Sequence, residues 1–259
     1  MKTNRELTHE FAEALFSDHN QKNIDIMAFC EHMLNSSSNL YGKRISASPI
    51  PKIFNEQSRK LFEKAGQEIS SILGKVIEEY RQNPEYRKIF NLDPRLVDLI
   101  CIEPGEECTV PFGRFDVFFN EDQNRVKFCE FNSDGSSGMD NNRNTNDACY
   151  DMQTMQDFAS RYSLEGCVES ICDGWAKSFL EIYETFECKK SDPTIAIVDY
   201  FEHANLNDFE LYRCIFEGLG YHAIICDVRE FEYDGRALRT KGTSVDAILR
   251  RCVSTDVLN

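Results

Sequence analysis

From Thr194 to Val228 the chain runs TIAIVDY, then LNDFELYRCIFEGLG, then HAIICDV, and no other stretch limits its fold so tightly. The two apolar runs are short and do not alternate with polar residues, as in strands covered on both faces. Between them the apolar residues fall at helical spacing, and Gly220 closes the run. Strand, helix and strand in that order predict a right-handed parallel crossover. FEYDGRAL then reads as a small hairpin with Asp-Gly at its turn, and VDAILRR as a further strand.

Upstream the periodicity is mostly helical. Arg5 to about His19 and Ile24 to Leu34 predict two short helices, and Asn55 to about Arg81 a longer one with Phe62, Ile69, Leu73, Val76 and Ile77 on its packing side. Pro94–Ile102 reads as a helix followed by a strand, ending at the turn-like EPGEEC. Helical spacing returns from about Asp147 to Tyr162 and from about Glu165 to Phe186. The expected class is α/β: residues 1–190 form a helical region bearing a β-hairpin, and after a boundary at KKSDP residues 191–259 form a Rossmann-like unit.

With 44 acidic and 29 basic residues the 259-residue chain carries a net charge of −15, which works against nucleic acid or an anionic membrane as a partner. Its 11 cysteines include no CxxC pair, a pattern of free thiols in a reducing compartment. MKTNRELTHEF has no signal-peptide core, and no run approaches a membrane span, so a cytoplasmic protein is expected. Neither GxGxxG nor GxxxxGK[ST] occurs. The sequence leaves the oligomeric state open.

FGRFDVFF and VKFCEFN flank the polar NEDQNR as two strands of a hairpin with a loop of about five residues. Alternation puts Arg114 and Asp116 on one face with Phe128, Glu130 and Asn132. Phe115, Val117 and Phe119 share the other face with Lys127, Cys129 and Phe131. Pairing Asn120 with Val126 sets Asp116 opposite Glu130 and Arg114 opposite Asn132. Two carboxylates facing each other across strands repel by about 0.2–1 kcal/mol. Mg²⁺ would neutralise them, since it takes one or two carboxylates with phosphate and water oxygens, and Asn132 adds a neutral oxygen. A solvent-facing hairpin in which Arg114 pairs with Asp116 or Glu130 accounts for the same residues. The following Asp134, Gly135, Ser136, Ser137 and Gly138 read either as a cradle for a carboxylate-bearing substrate or as a surface loop. DNNRNTND lacks the glycine and glutamate of a calcium-binding EF-hand loop.

GRFD, the hairpin and EFNSD with its serines resemble the substrate and metal segment of glutathionylspermidine synthases, which are circularly permuted ATP-grasp carboxylate-amine ligases. TIAIVDY through VDAILRR is similar to the part that precedes their nucleotide domain, a pre-ATP-grasp unit. The resemblance covers roughly Val110 to Asn259. It implies that Asp116, Glu130 and Asn132 hold the Mg²⁺ of Mg-ATP, that Arg114 contacts the reacting carboxylate and stabilises the acyl-phosphate step, and that Ser137 and Ser136 hold a peptide substrate. Gly135 stands where one family serine is expected. The implied partners are a small carboxylate such as a glutathione-like thiol peptide, an amine, and ATP. The nucleotide domain is expected beyond Asn259, which would leave this portion unable to complete the reaction alone. A non-catalytic small-peptide or metal-binding module of the same fold is the alternative.

Overall fold

The computed structural model describes residues 2–102, 110–133, 135–164 and 167–258. The chain is mixed α/β. Helices α1 (Asn4–Ser17) and α2 (His19–Asn35) meet at Asp18, whose carboxylate caps α2 by accepting from the Asn20 and Gln21 amides. That cap starts α2 five residues before the point at which its apolar periodicity begins. Helix α3 (Glu56–Gln82) starts behind Asn55, which caps it through the Ser58 amide. Short α4 (Pro84–Arg87) and α5 (Pro94–Ile100) follow. No strand follows α5 at Cys101 and Ile102. EPGEEC, Glu103 to Cys108, lies outside the described residues.

The hairpin forms from β1 (Arg114–Asn120) and β2 (Arg125–Asn132), joined by the four residues Glu121 to Asn124. Next come α6 (Met139–Tyr150), α7 (Gln153–Tyr162) and α8 (Cys167–Glu184). Helix α6 begins eight residues earlier than its periodicity suggests, at Met139, and takes in the whole polar DNNRNTND run. Asn, Asp and Ser prefer caps and turns to helix interiors because they compete for backbone hydrogen bonds. Here the competition is settled by distant partners. Asp140 accepts from Ser37 Oγ, from Ser38 Oγ at 3.0 Å and from Asn144 Nδ2 at 2.6 Å, so the polar side chains bond to one another.

Strands β3 (Thr194–Asp199) and β4 (His222–Asp227) are parallel, joined through α9 (Leu206–Gly218). Gly220 has φ +92°, the left-handed turn that releases the chain from the helix. A meander of β5 (Phe231–Tyr233), β6 (Leu238–Thr240) and β7 (Thr243–Val245) extends the expected two-stranded turn by one strand. Strand β8 (Ala247–Arg250) then pairs in parallel with β3, for an order β4-β3-β8. The chain ends in the short α10 (Ser254–Val257).

Among the described residues three hydrophobic cores hold these parts. Leu7, Phe11 and Leu15 of α1 pack on Phe29, Met152, Met155 and Phe158 in the helical region. Ala176 of α8 joins Ile195, Ile197, Phe209 and Phe216 on one face of the parallel sheet, so this core crosses the Lys189–Pro193 segment. Ala196, Val198, Cys226 and Val245 form the other face, under the meander.

Candidate functional site

The two strands meet as the alternation predicts at the end that matters. Arg114 lies opposite Asn132 and Asp116 opposite Glu130. At the turn the register is one residue different: Asn120 faces Arg125 and Phe119 faces Val126. The slip is absorbed by a bulge at Cys129, between the Asp116–Glu130 and Val117–Phe128 pairs.

The bulge corrects three side-chain assignments. Phe128 belongs to the aromatic face, with its ring centroid 6.0 Å from that of Phe115. Lys127, opposite Phe118, belongs to the polar one. Cys129, which simple alternation sets on the face of Phe115 and Phe131, has no residue opposite it and is exposed. The aromatic face is only half-covered. Phe119 packs on Phe62 of α3 at 5.0 Å, whereas Val117 and Phe128 remain exposed.

On the polar face Arg114 grips Asp116 at two points, Nε to Oδ1 at 2.8 Å and Nη2 to Oδ2 at 3.3 Å. Its Nη1 donates to the Ser137 carbonyl at 2.9 Å, tying the strand to the loop. The guanidinium holds the Asp116 carboxyl below the usual carboxylate range, and Asp116 in turn raises Arg114. Along β2, Asn132 Nδ2 donates to Glu130 Oε1 at 3.0 Å. Gly113 makes this arrangement possible, because a Cβ there would lie 2.2 Å from the Phe131 ring.

Four of the six expected site residues therefore share one face, and the two serines stand at its end. Ser136 turns its hydroxyl back to the Asn132 carbonyl at 2.7 Å and so braces the loop. Ser137 is exposed. Asp134 lies outside the described residues. The oxygens of Asp116, Glu130 and Asn132 are hard donors of the kind Mg²⁺ takes with phosphate and water. That set fits the ion once Arg114 releases Asp116. Among the described residues there is no group of three or more His, Cys, Asp or Glu side chains that could hold a metal by itself.

The loop carries the site to the parallel sheet. Gly135, at φ +61°, lies against the Arg251 carbonyl, and the amides of Gly138 and Asp140 donate to Asp208 of α9 at 3.0 and 2.8 Å. This places the loop beside the carboxyl ends of β3 and β8. Ligands of open α/β sheets bind there, where successive strands depart in opposite directions. Arg251 is 9% exposed, with its guanidinium 5.3 Å from the Tyr212 ring centroid and an Nε that is buried without a hydrogen-bond partner. Burial pushes the Asp199 carboxyl up against the pull of the Tyr200 amide and of Arg251. In the sequence Arg251 is marked only as the second residue of an Arg-Arg pair that closes an apolar strand.

The cysteines whose side chains are described are free thiols, and no described helix is long and apolar enough to cross a membrane. No protein-family model matches the chain, and no curated protein matches it.

Proposed function

We propose that this chain is the substrate- and metal-binding portion of an ATP-dependent ligase that joins a carboxylate to an amine through an acyl phosphate, in the manner of the glutathionylspermidine synthases, in a cytoplasmic setting. One observation supports it above the others: Asp116 and Glu130 are paired in register on an exposed face, with Arg114 and Asn132 the next pair on that face. A purely structural face would gain nothing from two opposed carboxylates.

Arg114 is the residue for the reacting carboxylate. It already holds a carboxylate at two points, so turning to a substrate exchanges one such grip for another. It then offers fixed positive charge where an oxyanion develops. Asp116, Glu130 and Asn132 would hold Mg²⁺, which when bound to ATP offsets the charge of the phosphate oxygens. Ser137 and Ser136 line the peptide side of the loop, and Arg251 adds a buried cation below it.

A second reading, a small-peptide or metal-binding module without turnover, is favoured by the satisfied state of the face. Arg114 neutralises Asp116, and Asn132 bonds to Glu130, with no ligand needed. The natural full-length reading frame distinguishes the two. Given Mg-ATP, a thiol peptide and a polyamine, a ligase releases ADP in step with a new amide. Binding of either substrate without ADP or amide would leave the module.

A further inference from the structure

A cavity of about 650 Å³ lies beside β8, where α8, the meander and the segment before the hairpin converge. Phe179, Tyr183 and Phe186 of α8 give it an aromatic wall. That wall is anchored in the fold: the Phe179 ring lies 5.3 Å from that of Phe216 in the sheet core and stacks on that of Phe112 at 6.5 Å. Leu238 and Val245, cross-strand neighbours in the meander, add aliphatic lining together with Ile248 of β8.

The walls decide what such a space can hold. A water molecule needs about two to four polar partners to settle in a cavity, and close-packed interiors keep few voids larger than one water. A volume of roughly 300–1,000 Å³ lined chiefly by apolar and aromatic side chains is the usual form of a small-molecule site. Phe186 and Ile248 are 45% and 41% exposed, so apolar surface meets solvent here, and an occupant of like character would cover it.

The polar groups around the cavity are committed to one another. Lys189 pairs with Glu184 at 3.1 Å, and Asp246 holds Lys190 at 2.6 Å while accepting the Thr194 amide at 3.0 Å. Arg250 donates to the Cys252 carbonyl at 3.0 Å and to Ser254 Oγ at 3.2 Å. The Tyr183 hydroxyl accepts from the Lys190 amide at 2.8 Å. A charged ligand would have to displace one of these partners, and an anion would also approach a chain of net −15. An uncharged ligand leaves every pair in place. We propose that the cavity beside β8 is a binding site for an uncharged small molecule made mostly of hydrocarbon, held between the aromatic side chains of α8 and the aliphatic ones of the meander and β8. None of its residues belongs to the polar face of the hairpin, so the site does not depend on a ligase reaction.

The probe is N-phenyl-1-naphthylamine, a neutral dye whose emission rises in apolar surroundings. With the full chain it should bind saturably. Bound dye should slow iodoacetamide alkylation of Cys188, an exposed thiol in the cavity lining, at least fivefold and leave Cys129 unaffected. Ile248→Trp fills part of the cavity from an exposed position and should weaken the dye at least tenfold. If that variant fails to fold, Ile182→Glu, which sets a carboxylate in the α8 wall, should do the same. Dodecanol should displace the dye at least fivefold better than dodecanoate. The proposal is overturned by dye binding that the variants leave unchanged, by Cys188 alkylation that the dye does not slow, by dodecanoate displacing the dye as well as dodecanol does, or by a dimer of the chain that the dye dissociates.

Discussion

Gly135 and the main chain of Arg251 are in contact: a Cβ on Gly135 would sit 3.0 Å from the Arg251 carbonyl oxygen and 3.3 Å from a Val253 methyl. Through this contact the loop that leaves the hairpin is seated on the end of β8. The polar face of the hairpin and the end of the parallel sheet are thereby held together.

Gly135→Ala should therefore destabilise the protein by about 1–2 kcal/mol, the cost of a side chain in the left-handed region, with added strain from the close approach. Gly138, at φ +102° but with nothing near its Cβ position, is the control for backbone strain without the contact. Urea unfolding of both variants measures the difference. A Gly135→Ala midpoint equal to that of wild type would mean that the loop is not seated as described.

Asp208 is fully buried and accepts the amides that open α6. Asp208→Ala strands the buried Asp140 amide and the half-buried Gly138 amide, and should cost about 2–4 kcal/mol on the scale of 1–3 kcal/mol for each unsatisfied group. Asp208→Asn keeps one acceptor and should cost about half as much. Thermal melts of the two variants provide the comparison, and equal losses would show that hydrogen bonding at this helix start is not what Asp208 supplies.

Asp227 gives the fold an acid-sensitive contact. Its carboxylate accepts from Arg229 Nε at 2.7 Å and from the Phe201 amide at 3.1 Å, and Arg229 holds its pKa well below the usual aspartate range. A carboxyl depressed in the folded state contributes fully above the unfolded aspartate value, near 4. That contribution is lost as pH falls from there through the folded value. Asp227→Asn should cost about 2 kcal/mol at pH 7, and the gap to wild type should close below about pH 4. A gap that stays constant from pH 7 to pH 3 would contradict the charge assignment.

Burial pushes the Cys149 and Cys226 thiols up to about 11, so they should resist iodoacetamide in the native protein at neutral pH. Cys129, exposed by the bulge, should be alkylated readily. Peptide mass spectrometry after a brief native exposure reads both. Protection of Cys129 would restore the simple alternation and remove the bulge.

The strand pairing at the site was legible because alternation and charge are local properties of RFD and EFN. The bulge was not. It arises because the turn takes four residues, with Asn124 at φ 43°, where five had been expected, and the difference is made up at Cys129. The parallel unit could be read from two apolar runs and a helix between them. Helix α6 could not, since its stability rests on Ser37, Ser38 and Asp208, far from it in sequence. Arg251 went unread for a related reason: a charged residue after a strand has no special value until the fold buries it beside a loop from another region.

If Asp116 and Glu130 form a metal platform rather than a polar surface, turnover needs the charge of Glu130. Glu130→Gln removes one charge and keeps the shape, and Glu130 is exposed, so the fold should survive. In the natural full-length protein, ADP release with Mg-ATP, a thiol peptide and a polyamine should fall at least a hundredfold in this variant, with part of the loss recovered at high Mg²⁺. Undiminished turnover in Glu130→Gln would contradict the account.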